Sequence, residues 1–311
     1  MLKYIFRRLL LMIPILLGVS FIIFGIMHLT PGEPAQILLG DAATTEQVAA
    51  LTKELGYDRP FLEQYFTYIK DIITKFDFGN SFRTGIPVTQ EIVDRSAISI
   101  RTSILAMIGA SLIGIPIGIL SAVKQHSLLD TMPTFLALIL ASLPAFWLGM
   151  ILLYIFALRL GWLPAGGVDT LAHYVLPVFT LSLPHGAVIL RYTRSSMLEI
   201  IRADYIRTAR AKGASEKKVI WKHALKNALL PVITVMGISF ASVLGNAVSV
   251  ETLFSIPGLG RTLVEAVRMK DLPLVMGLTL FLSLANAFIV LTVDILYAFI
   301  DPRIKAKYQS N

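Results

Sequence analysis

The sequence predicts an all-α integral membrane protein with six transmembrane helices and a helical external domain between the first and the second. Three observations carry this. Hydrophobic residues make up 55% of the 311 and charged residues only 15%, against roughly 25% charged in a soluble domain. Mean hydropathy is +0.72. The missing charge is concentrated in long uncharged runs, which mark spanning helices rather than a large soluble core. The chain has no cysteine, which excludes disulfides, thiolate metal sites and cysteine nucleophiles.

Six runs can cross a hydrocarbon core of about 30 Å at about 1.5 Å per residue: 9–29, 102–123, 134–157, 174–190, 228–250 and 274–300. The first has the basic flank of a secretory signal in Lys3, Arg7 and Arg8. Its apolar stretch Leu9–Leu29 is 21 residues long, however, and ends in His-Leu-Thr-Pro-Gly without a small-residue cleavage pair. A signal core spans about 7–15 residues, so this run is read as a retained helix. The fourth run is the shortest and contains Pro177 and Pro184; Pro14, Pro116 and Pro144 interrupt others. Kinked helices packed on neighbours are expected, since neighbours re-satisfy the freed backbone groups.

An even number of crossings puts both termini on one side. That side collects Lys3, Arg7, Arg8, Lys124, ten basic residues from Arg191 to Lys226, and Arg303, Lys305 and Lys307. The opposite flanks collect Arg159, Arg261, Arg268 and Lys270, and the long Pro31–Ala97 segment is net acidic. The positive-inside rule therefore places both termini in the cytoplasm. Three divisions follow: the N-terminus and first helix (1–30), an extracytoplasmic domain (31–97), and a transmembrane domain (98–311) carrying a cytoplasmic loop at 191–227.

In the external domain, Thr44-Thr45-Glu46-Gln47 offers a capping box and Gly56 a helix end. A second helix is expected after Asp58-Arg59-Pro60, with Leu62, Tyr65, Phe66, Ile69, Ile72 and Ile73 on one face. No internal repeat of the kind that marks secondary transporters is visible.

The basic loop Arg191–Asn227 reads as a helix–turn–helix. Leu198, Ile201, Tyr205 and Ala209 are spaced to share one face, Gly213 supplies a turn of positive φ, and Ser215 caps a second helix. That helix carries Val219, Ile220 and Leu225 inward and Lys217, Lys218 and Lys222 outward. Such a hairpin can touch anionic lipid or dock a cytoplasmic motor; tethered to a bilayer, it is a poor nucleic-acid reader.

Asp204-Tyr-Ile-Arg-Thr-Ala-Arg-Ala-Lys-Gly213 through Ala228-Leu-Leu-Pro231 resembles the coupling loop of binding-protein-dependent ABC importer permeases, in the variant of the dipeptide/oligopeptide/nickel group. Thr30-Pro-Gly-Glu-Pro34, Leu55-Gly-Tyr-Asp-Arg-Pro60, Phe76-Asp-Phe-Gly-Asn-Ser81 and Thr84-Gly-Ile-Pro-Val88 resemble the external domain of that group's first permease. Glu251-Thr-Leu-Phe, Pro257-Gly-Leu-Gly260, and Asp294 through Asp301-Pro-Arg-Ile304 resemble its C-terminal third. Against the wider importer pattern, Arg207 and Thr208 replace Glu-Ala, His223 replaces Ile and Lys226 replaces Pro, while Ala209, Gly213 and Leu225 remain.

The resemblance implies a type I ABC importer permease fold in a bacterial or archaeal inner membrane. It implies a second homologous permease, two ATPase subunits, an extracytoplasmic substrate-binding protein and a di- or oligopeptide cargo, with membrane lipid around the chain. Nickel or a metallophore is the alternative cargo, and a proton-coupled secondary transporter the alternative class. ATP and Mg belong to the ATPases: no Gly-x-x-x-x-Gly-Lys-Ser/Thr loop occurs in this chain, and no cofactor, metal or catalytic role is expected of it. Arg207, Ala209, Gly213, Ala214, Ser215 and Leu225 are the coupling-loop candidates the likeness picks out.

Ser239, Ser242, Asn246 and Ser249 follow one another at helical spacings in the fifth run. Two readings stand, packing contacts between helices and a lining for the substrate path. Asp294, about two turns from the end of the sixth run, is expected to find a cation, as a structural pair rather than a proton relay. The five histidines (28, 126, 173, 185 and 223) show no metal-ligand spacing, and a hydrogen-bonded packing role is expected of His185.

Overall fold

The computed structural model describes residues 2–30, 34–40 and 42–300, with side chains for 5–295 of these. Pro31, Gly32, Glu33, Arg303, Lys305, Lys307 and the Asp301–Ile304 motif lie outside the described residues, as does the side chain of Lys3. Among the described residues the regular structure is helical, with one isolated bridge between Asn80 and Pro87.

The helices, in order, are α1 (Leu2–Leu29), α2 (Pro34–Leu39), α3 (Thr45–Glu54), α4 (Phe61–Lys75), α5 (Val88–Val123), α6 (Leu128–Ser142) and α7 (Ala145–Leu152). A π-helical stretch, Leu153–Arg159, extends α7. Then come α8 (Leu171–Ile201), α9 (Asp204–Ala211), α10 (Glu216–Lys218), α11 (Leu225–Leu253), α12 (Leu259–Arg268) and α13 (Leu272–Ile300). A second π-helical stretch, Val219–Ala224, joins α10 to α11.

Five helices are long and apolar enough to cross a membrane, and the pair Leu128–Ser142 and Ala145–Arg159 makes a sixth span if taken as one. That pair corrects the third expected span, 134–157. Leu143 is extended and the chain turns by 108° at Leu143–Pro144, because a proline pushes the residue before it out of the helical region. The fourth span, expected to be short, is instead a 31-residue helix running through both of its prolines. Its packing explains the difference: Leu181, Ser182, Gly186, Ala187, Ile189 and Leu190 are all buried among neighbouring helices, and such neighbours stabilise a proline-bearing span.

The chain divides into two compact units. One is built on Ile100–Ile256 with the helix from Phe288, the other on Phe6–Ser99 and Pro257–Ala287. In the first, small residues let backbones meet. A Cβ on Gly114 would lie 2.6 Å from the Gly186 carbonyl oxygen, and one on Gly118 would lie 2.7 Å from that of Leu190. Ser182 Oγ of α8 donates to the Ala106 carbonyl of α5 at 2.9 Å in the same seam. In α11, Gly237 abuts Val293 of α13.

In the second unit, Thr44 and Gln47 form the expected capping box, at 3.3 and 2.9 Å, and Gly56 follows α3 with φ +73°. The inward face of α4 differs from expectation. Tyr65 is buried, with Phe61, Gln64, Tyr68, Ile69 and Ile72 beside it, whereas Leu62, Phe66 and Ile73 are exposed. The Gln64 amide nitrogen is accommodated locally, Nε2 donating to the carbonyls of Tyr57 (3.1 Å) and Arg59 (2.8 Å), whereas Gln64 Oε1 and the Tyr68 hydroxyl are buried with no hydrogen-bond partner among the described residues. Asp271 sits at the N-cap of α13, accepting from Ser81 Oγ at 2.5 Å and from the Leu274 amide at 3.3 Å.

Candidate functional site

The basic hairpin lies where α8 ends. Ala203 is extended (φ −67°, ψ 148°) and restarts the helix as α9. The break resets the helical phase, so Leu198 and Ile201 belong to α8 while Ile206, not Tyr205, becomes the fully buried residue of α9. Tyr205 is 45% exposed, and its hydroxyl accepts from Asn227 Nδ2 at 2.9 Å.

Gly213 closes α9 with φ +80°. Its amide donates to Arg210 O (2.9 Å) and that of Ala214 to Ala209 O (3.2 Å), the paired bonds of a Schellman ending. Arg210 grips Glu216 across the turn, Nε to Oε1 at 2.6 Å and a second bond at 3.3 Å; that contact raises the guanidinium's pKa further. Ser215 occupies the N-cap position of α10 but makes no capping bond with its side chain. The cap rests on its backbone, which accepts from Val219 N at 2.9 Å.

Beneath the turn, Ile206, Val219 and Ala224 join Met197, Ile119, Ala122 and Ala228 in one buried cluster, with Ala214 and Leu225 packed against it. The hairpin is thereby seated on the ends of α5 and α8. Of the expected residues, Ala214 and Leu225 pack the hairpin, Ala209 is half-buried, and Arg207, Gly213 and Ser215 face outward. Exposed Trp221 stands among the lysines of the second arm, at 57%. It was not singled out from sequence, although an aromatic in a charged, solvent-facing run is the signal of a contact residue.

The polar stripe in α11 divides. Ser239 departs from the lining expectation, being 7% exposed on the same face as buried Val243, Ala247 and Val250. Ser242, Asn246 and Ser249 are exposed, with Ile238 and Gly245 beside them, and Ser242 Oγ reaches back to Ile238 O at 3.3 Å. Asp294 and His185 are both half-buried. Glu251 is fully buried at the end of α11.

A carboxylate that the sequence did not flag ties the base of this region together. Asp130 is 3% exposed at the start of α6. It accepts from Arg194 Nε (2.5 Å) and Nη2 (2.9 Å), from Ser121 Oγ (2.5 Å) and from the His126 amide (3.0 Å). Three segments converge on it: the end of α5, the following turn, and α8 two turns before the hairpin.

A set of bilayer-length helices with a cationic hairpin seated on their ends defines an integral membrane component. The chain belongs to the family of binding-protein-dependent transport system inner membrane components, which matches residues 114–306, and the N-terminal region of such components matches 1–103. It is 44% identical to the dipeptide transport system permease protein DppB of Alkalihalophilus pseudofirmus, over 98% of this chain and all of that one. It is 43% identical to the glutathione transport system permease protein GsiC of Salmonella paratyphi A, over 99% of this chain and all of that one.

Among solved structures it shares the fold of an inward-facing MetNI methionine ABC transporter, with a TM-score of 0.57 and 17% identity over 68% of this chain and 97% of that one. An amino acid ABC transporter crystallised with histidines gives 0.55 and 14%, over 69% and 94%. The fold is that of the type I ABC importer permeases.

Proposed function

We propose that this chain forms half of the translocation pathway of an ATP-driven importer of di- and oligopeptides and receives the stroke of the ATPases through the α9–Gly213–α10 hairpin. The observation that carries this is the seating of the hairpin. Its second arm runs without a break into the span that bears Ser242, Asn246 and Ser249, so movement of the hairpin displaces the pathway face. Full-length likeness to permeases named for dipeptide and glutathione transport supports a peptide cargo.

In this reading Arg207, Ser215 and Trp221 meet an ATPase, while Ala209, Ala214 and Leu225 hold the hairpin's shape. Ser242, Asn246 and Ser249 offer hydrogen bonds to peptide backbone, and Ser239 is left to packing. A second permease, two ATPases and an extracytoplasmic binding protein complete the importer. Both termini are cytoplasmic, and this subunit itself binds no ATP, Mg or other cofactor and catalyses no reaction.

The test is Gly213→Val in the complete importer reconstituted in vesicles. A β-branched residue is strongly disfavoured at φ +80°, and strain of about 1–3 kcal/mol distorts a surface hairpin while leaving packed spans intact. Assembly stays near normal, while peptide uptake and ATPase stimulation by loaded binding protein fall together; Gly213→Ala gives a milder loss. Normal uptake and stimulation in Gly213→Val would remove the hairpin from the coupling path.

A further inference from the structure

Helix α4 presents three faces rather than two. At about 100° per residue, Tyr65, Tyr68 and Ile72 lie on the packed side, where Tyr65 and Tyr68 join Phe24 of α1 and Leu272 and Met276 of α13 in one cluster. Glu63, Thr67, Lys70 and Thr74 make a polar side. Between them runs an apolar stripe left open among the described residues: Leu62 is 54% exposed, Phe66 63%, Ile73 68%, and Phe76, just past the helix end, 78%. A contiguous exposed apolar stripe on a folded protein marks an interaction surface.

The level at which α4 sits identifies what it meets. Tyr65 Oη donates to the Leu17 carbonyl at 3.1 Å and hydrogen-bonds Ser20 Oγ at 2.9 Å. Leu17 is the midpoint of the apolar span Ile5–Leu29, twelve residues from either end. Phe61, at the start of α4, lies against Phe21, Phe24 and His28, with ring centroids 5.7, 5.3 and 5.2 Å apart. The second reference agrees, because Leu272 and Met276 are in the opening turns of the span Leu272–Ile295. The packed side chains of α4 thus run along the Leu29 half of α1, from His28 down to Ser20, with the Tyr65 hydroxyl their deepest point, so α4 lies beside that half of the span, below its end.

We propose that α4 is a monotopic helix lying in the membrane interface at the Leu29 end of α1, with Leu62, Phe66 and Ile73 dissolved among lipid acyl chains and Glu63, Lys70 and Thr74 turned to the headgroups and water. Three-sided patterning is what such a position demands: one side for protein, one for hydrocarbon and one for the polar boundary. The external domain is then held down by lipid along its longest helix. On the topology proposed above the leaflet is the outer one, but the depth of α4 is independent of that assignment.

The absence of native cysteine allows a direct test. Single nitroxide labels are placed at Leu62→Cys, Phe66→Cys, Ile73→Cys and, on the polar side, Thr67→Cys, in the assembled importer in lipid vesicles. Collision with oxygen, which concentrates in hydrocarbon, is compared with collision with a water-soluble nickel chelate. The oxygen-to-nickel ratio is expected to be several-fold higher at 62, 66 and 73 than at 67. Equal ratios at all four sites would place α4 in water and overturn the proposal. Poor access of both reagents at 62, 66 and 73 would mean that protein covers the stripe, and would overturn it equally.

Discussion

At the scale of single residues, Asp130 with Arg194 is a partly buried, charge-assisted contact whose energetic stake can be measured. A bidentate, charge-assisted pair contributes about 1.5–3 kcal/mol when shielded, and Arg194, with 26% of its side chain exposed, brings the value toward the lower end. Removing one partner leaves the other charge in a site arranged for a pair, which costs more than the pair contributes. Asp130→Asn and Arg194→Gln should each lower the stability of the detergent-solubilised chain. The double variant should lose less than the sum, by roughly 1–2 kcal/mol in chemical unfolding. Strict additivity would mean the two side chains do not interact energetically. The pair was not legible in the sequence because 64 positions separate its members and each looks like an ordinary charge at a span end. Gly213 was legible because its conformation depends on a few neighbouring residues.

At the scale of helices, the seam between α5 and α8 constrains packing at Gly114 and Gly118, where neighbouring backbone leaves no room for a Cβ. Gly114→Val would drive a side chain into the Gly186 carbonyl and Ile189, and overpacking of this kind costs about 1–3 kcal/mol or more. A lower yield of folded chain is expected, with a reduced thermal midpoint. Gly245→Ala, which meets nothing within 4 Å, is the matched control and should behave as the parent. If Gly114→Val were as stable as Gly245→Ala, the seam would not be close-packed. Hydropathy located every apolar run, because burying about 20 residues of lipid-facing surface leaves a strong local signal. It could not see the 108° turn at Leu143–Pro144, since composition is blind to direction. It also misjudged α4, whose two apolar faces look like one broad stripe when the partners are unknown.

At the scale of the whole molecule, orientation is the property on which the division of labour depends. Thr45 and Ser215 are both exposed, so reagent access to a cysteine there reports the side of the membrane rather than burial. A membrane-impermeant thiol reagent applied outside spheroplasts should modify Thr45→Cys at once and Ser215→Cys only after the membrane is opened. The reverse order would invert the topology and put the basic hairpin out of reach of any cytoplasmic ATPase. The α5–α8 seam also has a meaning in time. Ser182 and the Ala106 carbonyl it caps are separated by 76 positions, and ribosomes add about 5–20 residues per second. The α5 half of the seam is therefore complete for about 4–15 s before its partner has been synthesised. During biosynthesis that glycine-lined groove is an open surface, and the bent α6–α7 pair is what the ribosome delivers in the interval.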